Sequence, residues 1–254
     1  MVGSGIKFGL QTTEEALRAI RQAEEVLYLF ADPVAAAWVK GLNPSAQSLE
    51  HLYAVGKPRS ETYEEMVEAI LIPVRKGLDV CAVFYGHPGV FGFPPHEAIR
   101  RARSEGFVAR MLPGISAEDC LFADLAIDPG DGWQSFEATN FLLFPRTFDP
   151  AVSLVLWQVA AIGEATGTDR PNREGLSVLA GYLTRFYGSD HEVVSYEASP
   201  YPVGDPIIQR LRIGDLPNAE VRAMTTLYVP PKGRPPPDLE MFDRLGIPRP
   251  EADA

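Results

Sequence analysis

Short apolar runs alternate with helical stripes along the first half of the chain. Val26 to Phe30 and Val80 to Phe84 are brief apolar runs bounded by charged or turn-forming positions, the pattern of parallel strands covered on both faces. Between them, Pro33 to Lys40 is helix-like, and Ser60 to Lys76 repeats Met66, Ile70 and Val74 at helical spacing with Tyr63 on the same stripe. Met1 to Gly5 is expected to be the tail of a first strand entering a glycine turn. Thr12 followed by Glu15 predicts a capping box that opens a helix through about Glu25. Pro94 to Glu105 predicts an amphipathic helix stopped by Gly106, and Phe107 to Met111 a further strand. This alternation is that of a doubly wound parallel sheet.

A boundary is expected at Leu112-Pro113-Gly114, after which Ser116 caps a helix to about Ala126 with Asp119 at its third position. The second half predicts strands at Leu154 to Val159, Val193 to Tyr196 and Thr226 to Val229, with helices around Glu174 to Phe186 and Pro206 to Leu211. From Pro230 onward, five prolines (230, 231, 235, 236 and 237) are expected to break any regular element. The reading is an α/β protein of two lobes, residues 1–112 and 113–232, followed by a proline-rich tail over 233–254. A hinge between two lobes implies a cleft suited to a small molecule.

Composition narrows the class. With 254 residues, 46% of them hydrophobic, the chain can bury a sizeable core. It has no apolar stretch near the roughly 20 residues needed to span a bilayer and no signal segment, so a soluble, cytoplasmic protein without a membrane partner is expected. Cys81 and Cys120 fall in predicted core elements and read as small apolar residues. A formal net charge of −11 disfavours a nucleic-acid partner.

The chemistry concentrates where the strand Val80 to Phe84 runs into Tyr85-Gly86-His87-Pro88-Gly89-Val90-Phe91. Ligands in open α/β sheets sit outside the carboxyl ends of such strands. Gly86 and Gly89 permit close backbone approach, Pro88 stiffens the turn, and Pro94-Pro95 open the next helix. The alternative is an ordinary strand-to-helix connection rich in turn formers.

Four segments, Val2-Gly3-Ser4-Gly5, Tyr85 to Phe91, Leu112 to Ala117 and Thr225 to Pro231, stand in the order and spacing of the tetrapyrrole methylase superfamily, which the chain resembles over nearly its whole length. That resemblance implies a parallel doubly wound N-terminal lobe, a mixed-sheet C-terminal lobe, and S-adenosylmethionine folded in the cleft between them, leaving as S-adenosylhomocysteine. Most members carry Gly-Asp-Pro where this chain has Gly86-His87-Pro88. Tyr-Gly-His-Pro-Gly-Val-Phe instead looks like the borosin branch, whose enzymes α-N-methylate backbone amides of ribosomally made peptides. Tyr53, Arg59 and Tyr63, spaced by six and then four residues, match the tyrosine, arginine and tyrosine that serve the active site of that branch. Trp157-Gln158 and Tyr196-Glu197-Ala198 look like it too. The first strand is shorter than is usual in the superfamily.

The resemblance implies cofactor contacts from Tyr85, His87, Val90, Phe91, Ser116, Ala117, Gln158, Tyr196, Met224, Thr225 and Thr226. It also implies a homodimer, which with bound peptide would be a heterotetramer. An amide nitrogen is a poor nucleophile because its lone pair is delocalised into the carbonyl. A base must remove its proton, and a cation must stabilise the oxygen. Tyr63 or Tyr53 is the candidate base and Arg59 the cation; without the spacing match, the same three residues read as a core tyrosine, a surface cation and a loop anchor. His51, His96 and His191 are expected at the surface, and no metal is implied. The acidic run Glu61, Glu64, Glu65 and Glu68 reads as a solvated helix face. The tail that ends in Pro-Arg-Pro-Glu-Ala-Asp-Ala (248–254) is short, polar and without a Val/Ile core, so action on a separate precursor peptide is expected. The leading alternative is C-methylation of a tetrapyrrole (a porphyrinogen or precorrin), whose carboxylates would call for several cations; a catalytically silent peptide-binding module and a ribosomal RNA methylase rank lower.

Overall fold

The structure, a computed structural model, describes residues 1–30, 32–166 and 170–250. In the first half, strand β1 (Val2–Gly3) leads into helix α1 (Glu14–Gln22), then β2 (Glu25–Leu29), α2 (Pro33–Leu42), β3 (Gln47–Ser48), α3 (Arg59–Arg75), β4 (Val80–Phe84) and α4 (Phe93–Ser104). All four strands are parallel, in the order β1-β4-β2-β3. Strand periodicity sorts the faces. Val26, Tyr28, Cys81 and Val83 bury against α1 and α2 through Ala16, Ile20, Ala35 and Val39. Leu27, Ala82 and Phe84 bury against α3 and α4 through Met66, Ile70, Ala98 and Ala102.

The second half runs α5 (Ala117–Leu125), β5 (Trp133–Glu137), α6 (Ala138–Leu143), β6 (Ser153–Trp157), α7 (Arg173–Tyr187), β7 (Glu192–Glu197), β8 (Ile207–Arg212), β9 (Thr226–Val229) and α8 (Leu239–Leu245). Its sheet is mixed, in the order β5-β6-β9-β7-β8, with β5 and β6 parallel and the other pairs antiparallel. One face packs on α6 and α7 through Leu154, Leu156, Leu176 and Leu183. The other carries Val155, Trp157, Val194 and Tyr196 against α5 and against Ile6 of the first half, so one apolar cluster joins the two sheets. Among the described residues no helix is long and apolar enough to cross a membrane.

Several elements differ from the sequence expectation. The cap of α1 is Thr13, whose side chain accepts from the Ala16 amide, whereas the Thr12 hydroxyl is buried and donates to the Ser4 carbonyl at 2.6 Å. Phe107 to Met111 is no strand: the Met1 ammonium donates to the Arg110 carbonyl and the Leu112 amide to the Met1 carbonyl, but no ladder forms, and Val108 is fully exposed. The strand expected through Val159 stops at Trp157 because Gln158 takes a left-handed conformation with φ 57°. Pro206 to Leu211, expected as a helix, contributes instead to β8, an edge strand whose pairing with β7 overrides the helical reading. Within the tail, α8 forms beyond the prolines, capped by Asp238 and ended by Gly246 at φ 65°. His191 is half-buried, its Nε2 on the Pro230 carbonyl at 3.0 Å. The acidic face of α3 is ion-paired as well as solvated: Arg101 on α4 bridges Glu64 and Glu68, and Arg75 binds Glu68 and Glu105.

Candidate active site

Three chain segments meet backbone to backbone at the carboxyl end of β4. The Ser4 amide donates to the Phe84 carbonyl, and Gly5 and Gly86 exchange amide bonds of 3.2 and 3.1 Å. Gly86 turns the chain at φ 69°. A Cβ on Gly3 would sit 2.2 Å from the Gly86 oxygen, and one on Gly114 would sit 2.6 Å from that same atom. Glycine is required at both positions because only bare backbone fits so close to a carbonyl.

Beyond this crossing lies a narrow cavity of about 160 Å3. Tyr85, His87, Val90, Phe91, Ser116, Ala117, Gln158, Met224, Thr225 and Thr226 all line it, together with Ile6, Gly86, Trp157 and Ala223. Tyr196 does not. It is fully buried in the apolar cluster beneath, its hydroxyl donating to Asp124 at 2.7 Å; burial and then that carboxylate push its pKa far up. Ser116 is half of a capping box with Asp119, which presents the first turn of α5 at the cavity wall. The buried Thr225 hydroxyl donates to Glu197 at 2.6 Å and accepts from the Arg222 amide at 2.8 Å. Phe91 and Gln158 are two of only three non-glycine residues with positive φ among those described, and both border the cavity. Such strained backbone persists where packing over-determines it; the Phe91 ring lies 5.2 Å from that of Trp157, whose indole nitrogen donates to Ser135 Oγ at 2.7 Å.

A second cavity, of about 440 Å3, opens on the far side of Gln158 and is lined by Tyr53, Arg59, Tyr63, Arg170 and Arg222. A space of about 210 Å3 bordered by Tyr53, Tyr63, Tyr85 and His87 connects the two, and an open groove of about 560 Å3 leads outward past Phe93, His96 and Glu137. Arg59 opens α3, and its amide donates to the Ala165 carbonyl while Pro58 bridges Thr166, so the second half of the chain holds this helix start. One turn on, the Tyr63 ring stacks on Phe93 at 6.1 Å. Tyr53 follows a 3-10 turn and is 43% exposed. Even so, its phenol is pushed up to about 12, first by burial and then by Tyr63, with Arg59 opposing. Burial likewise raises Tyr85 to about 12.

Sequence reasoning did not reach Arg170 and Arg222, which join Arg59 around this cavity. No local pattern marks them; only the fold brings residues 59, 170 and 222 together. Glu137 was also missed: it ends β5, whose apolar residues Trp133 and Phe136 stand three apart and give no two-residue alternation.

The family profile described as Tetrapyrrole (Corrin/Porphyrin) Methylases matches residues 1–194. The chain is 44% identical over 253 residues to a methyltransferase/ribosomally synthesised cyclic peptide gymnopeptides precursor of Gymnopus fusipes, covering 97% of this chain and 60% of that protein. It is 43% identical to the omphalotin A precursor methyltransferase of Omphalotus olearius, covering 97% and 61% of the two chains. The chain thus spans about three fifths of the length of these relatives. Among solved structures, uroporphyrin-III-C-methyltransferase from Thermus thermophilus aligns with a TM-score of 0.65 at 18% identity, over 98% of this chain and 97% of the other, which speaks to fold alone.

Proposed function

The chain belongs to the tetrapyrrole methylase family, and on that premise we propose that it is an S-adenosylmethionine-dependent methyltransferase acting on backbone amides of a ribosomally made peptide. The observation that carries this reading is the placement of Tyr53, Arg59 and Tyr63 in one cavity, separated only by Gln158 and the tyrosine-lined space from the glycine-built cavity. Relatives at 43–44% identity are named as peptide-precursor methyltransferases, which supports the same direction.

The glycine-built cavity fits the cofactor. Bare backbone at Gly86, the start of α5 and the buried Thr225 hydroxyl suit a nucleoside carrying an amino-acid arm. When bound, that group supplies an electrophilic methyl. The remaining work falls to the protein. Gln158, at the border of every cavity of the cleft, orients the amide between the two sides. Arg59 stabilises negative charge on the amide oxygen. The proposal gives the amide proton to Tyr63, and Tyr53, raised to about 12 and protonated near neutrality, serves as a hydrogen-bond donor. The products are an N-methyl amide, S-adenosylhomocysteine and one proton.

The acceptor in this proposal is a ribosomally made peptide, the class that the names of the relatives point to. The proposal includes a homodimer, supported by the exposed apolar side chains Leu143, Phe144 and Val178 on and beside α6 and α7. The three-arginine cavity favours a second reading, a tetrapyrrole whose carboxylates those cations would bind. Incubation with S-adenosylmethionine and either a Val/Ile-rich peptide or uroporphyrinogen III, read by intact mass, separates the two. Added CH2 on the peptide is the expected result; methylation of the porphyrinogen alone overturns the proposal.

A further inference from the structure

Gly89, in the turn after β4, sits between two histidines, His87 of the turn itself and His96 on α4. The Gly89 amide donates to His87 Nδ1 at 2.9 Å, and His96 Nε2 lies 2.9 Å from the Gly89 carbonyl. A carbonyl only accepts, so His96 carries its proton on Nε2. An amide only donates, so His87 Nδ1 is unprotonated and the neutral ring carries its proton on Nε2. The fit is tight: a Cβ on Gly89 would stand 3.2 Å from His87 Cε1, 3.3 Å from His96 Nε2 and 2.8 Å from Met111 Sδ. His87 borders both the glycine-built cavity and the tyrosine-lined space, while His96 is reached from the outer groove. Among the described residues, neither space that His87 borders has an Asp, Glu, Lys or Arg in its wall; the titratable groups facing it there are Tyr53, Tyr63 and Tyr85.

We propose that His96 is a positioning residue: by fixing the Gly89 carbonyl it holds the turn so that His87 stays in the Nε2–H form and offers the cleft a hydrogen-bond donor. The partner of that donor is an oxygen acceptor on the bound molecule. A carboxylate at position 87, as in the Gly-Asp-Pro turn usual in this superfamily, offers only acceptors, so His87 reverses the polarity of this point in the site. The oxygen belongs either to the cofactor or to the substrate, and in that respect the inference rests on the proposed function. The tautomer itself does not.

With only four histidines in the chain, nitrogen-15 correlation spectra resolve each ring. The wild-type protein is expected to show His87 as the Nε2–H tautomer; an Nδ1–H signature overturns the proposal without any variant. In His96→Phe, which removes the donor, the His87 signature is expected to shift toward a tautomer mixture, and in His96→Gln, which keeps an N–H at a similar reach, to return to the wild-type form. An unchanged His87 signature in folded His96→Phe also overturns it. Calorimetry with S-adenosylhomocysteine then locates the acceptor: binding weakened roughly 3–10-fold in His96→Phe places the oxygen on the cofactor, whereas unchanged affinity with a raised peptide KM places it on the substrate. Neither change, with the tautomer shifted, contradicts the role given to the donor. Failure of wild type to bind S-adenosylhomocysteine would count against the proposed cofactor while leaving the tautomer result standing.

Discussion

The two sides of Gln158 are built in opposite ways. The smaller cavity lies against a backbone crossing where Gly3, Gly86 and Gly114 meet, with Thr225 locked to Glu197 and no charged side chain among the described residues of its wall. The larger is made of long side chains, the tyrosines 53 and 63 and the arginines 59, 170 and 222, that reach in from both halves of the chain. A backbone-built site tolerates no added atoms and has little freedom to adapt. One built from long side chains can change its chemistry residue by residue while its frame stays fixed. In the proposed function the contrast separates a cavity that holds the cofactor from one that activates the amide.

The strongest way to break the contrast is to add volume on the backbone side. Gly3→Val would drive a side chain into the Gly86 carbonyl, and we expect either loss of folding or a fall of several degrees in Tm, with S-adenosylhomocysteine binding abolished by calorimetry. On the other side, Arg59→Ala should leave folding intact and lower kcat on peptide about 10²–10³-fold, as for loss of one oxyanion donor. Equal losses in kcat and kcat/KM would mark an interaction made in the transition state.

The tyrosines sharpen the contrast further through pH. Tyr53 is held at about 12, so it stays protonated below that value and its phenolate is absent at neutral pH. At neutral pH, Tyr63→Phe should lower kcat about 10²-fold or more as loss of the proposed base, and Tyr53→Phe only roughly 3–10-fold as loss of one hydrogen-bond donor. The reverse ranking would exchange their roles. The smallest effect is expected at Arg222, whose largely exposed guanidinium stands 3.7 Å from the mostly buried carboxylate of Glu197. Arg222→Gln should change thermal stability by no more than about 1 kcal/mol.

The same contrast governs what could be read from the sequence. Backbone-built features announce themselves locally. Val80 to Phe84 is β4 to the residue, and Ser116 with Asp119 forms the expected capping box. Where tertiary pairing decides, local pattern misleads. Pro206 looked like a helix start, but β7 recruits Ile207–Arg212 as an edge strand. Tyr196 lies beside residues of the cleft in sequence, yet the pleat of β7 turns its ring inward, away from the cavity and into the core with Asp124 as partner. Arg170 and Arg222 carry no spacing signal at all, since 52 residues of chain separate them and only the packing of the two sheets brings them to Arg59.

In the proposed function, cofactor holding and amide activation occupy separable cavities. A calorimetric titration of S-adenosylhomocysteine into the Arg59→Ala/Tyr63→Phe double variant tests it without knowledge of the natural peptide. Affinity within about threefold of wild type is the expected result, because neither side chain lines the glycine-built cavity. Loss of binding in a folded double variant would contradict the division and make the cleft a single site.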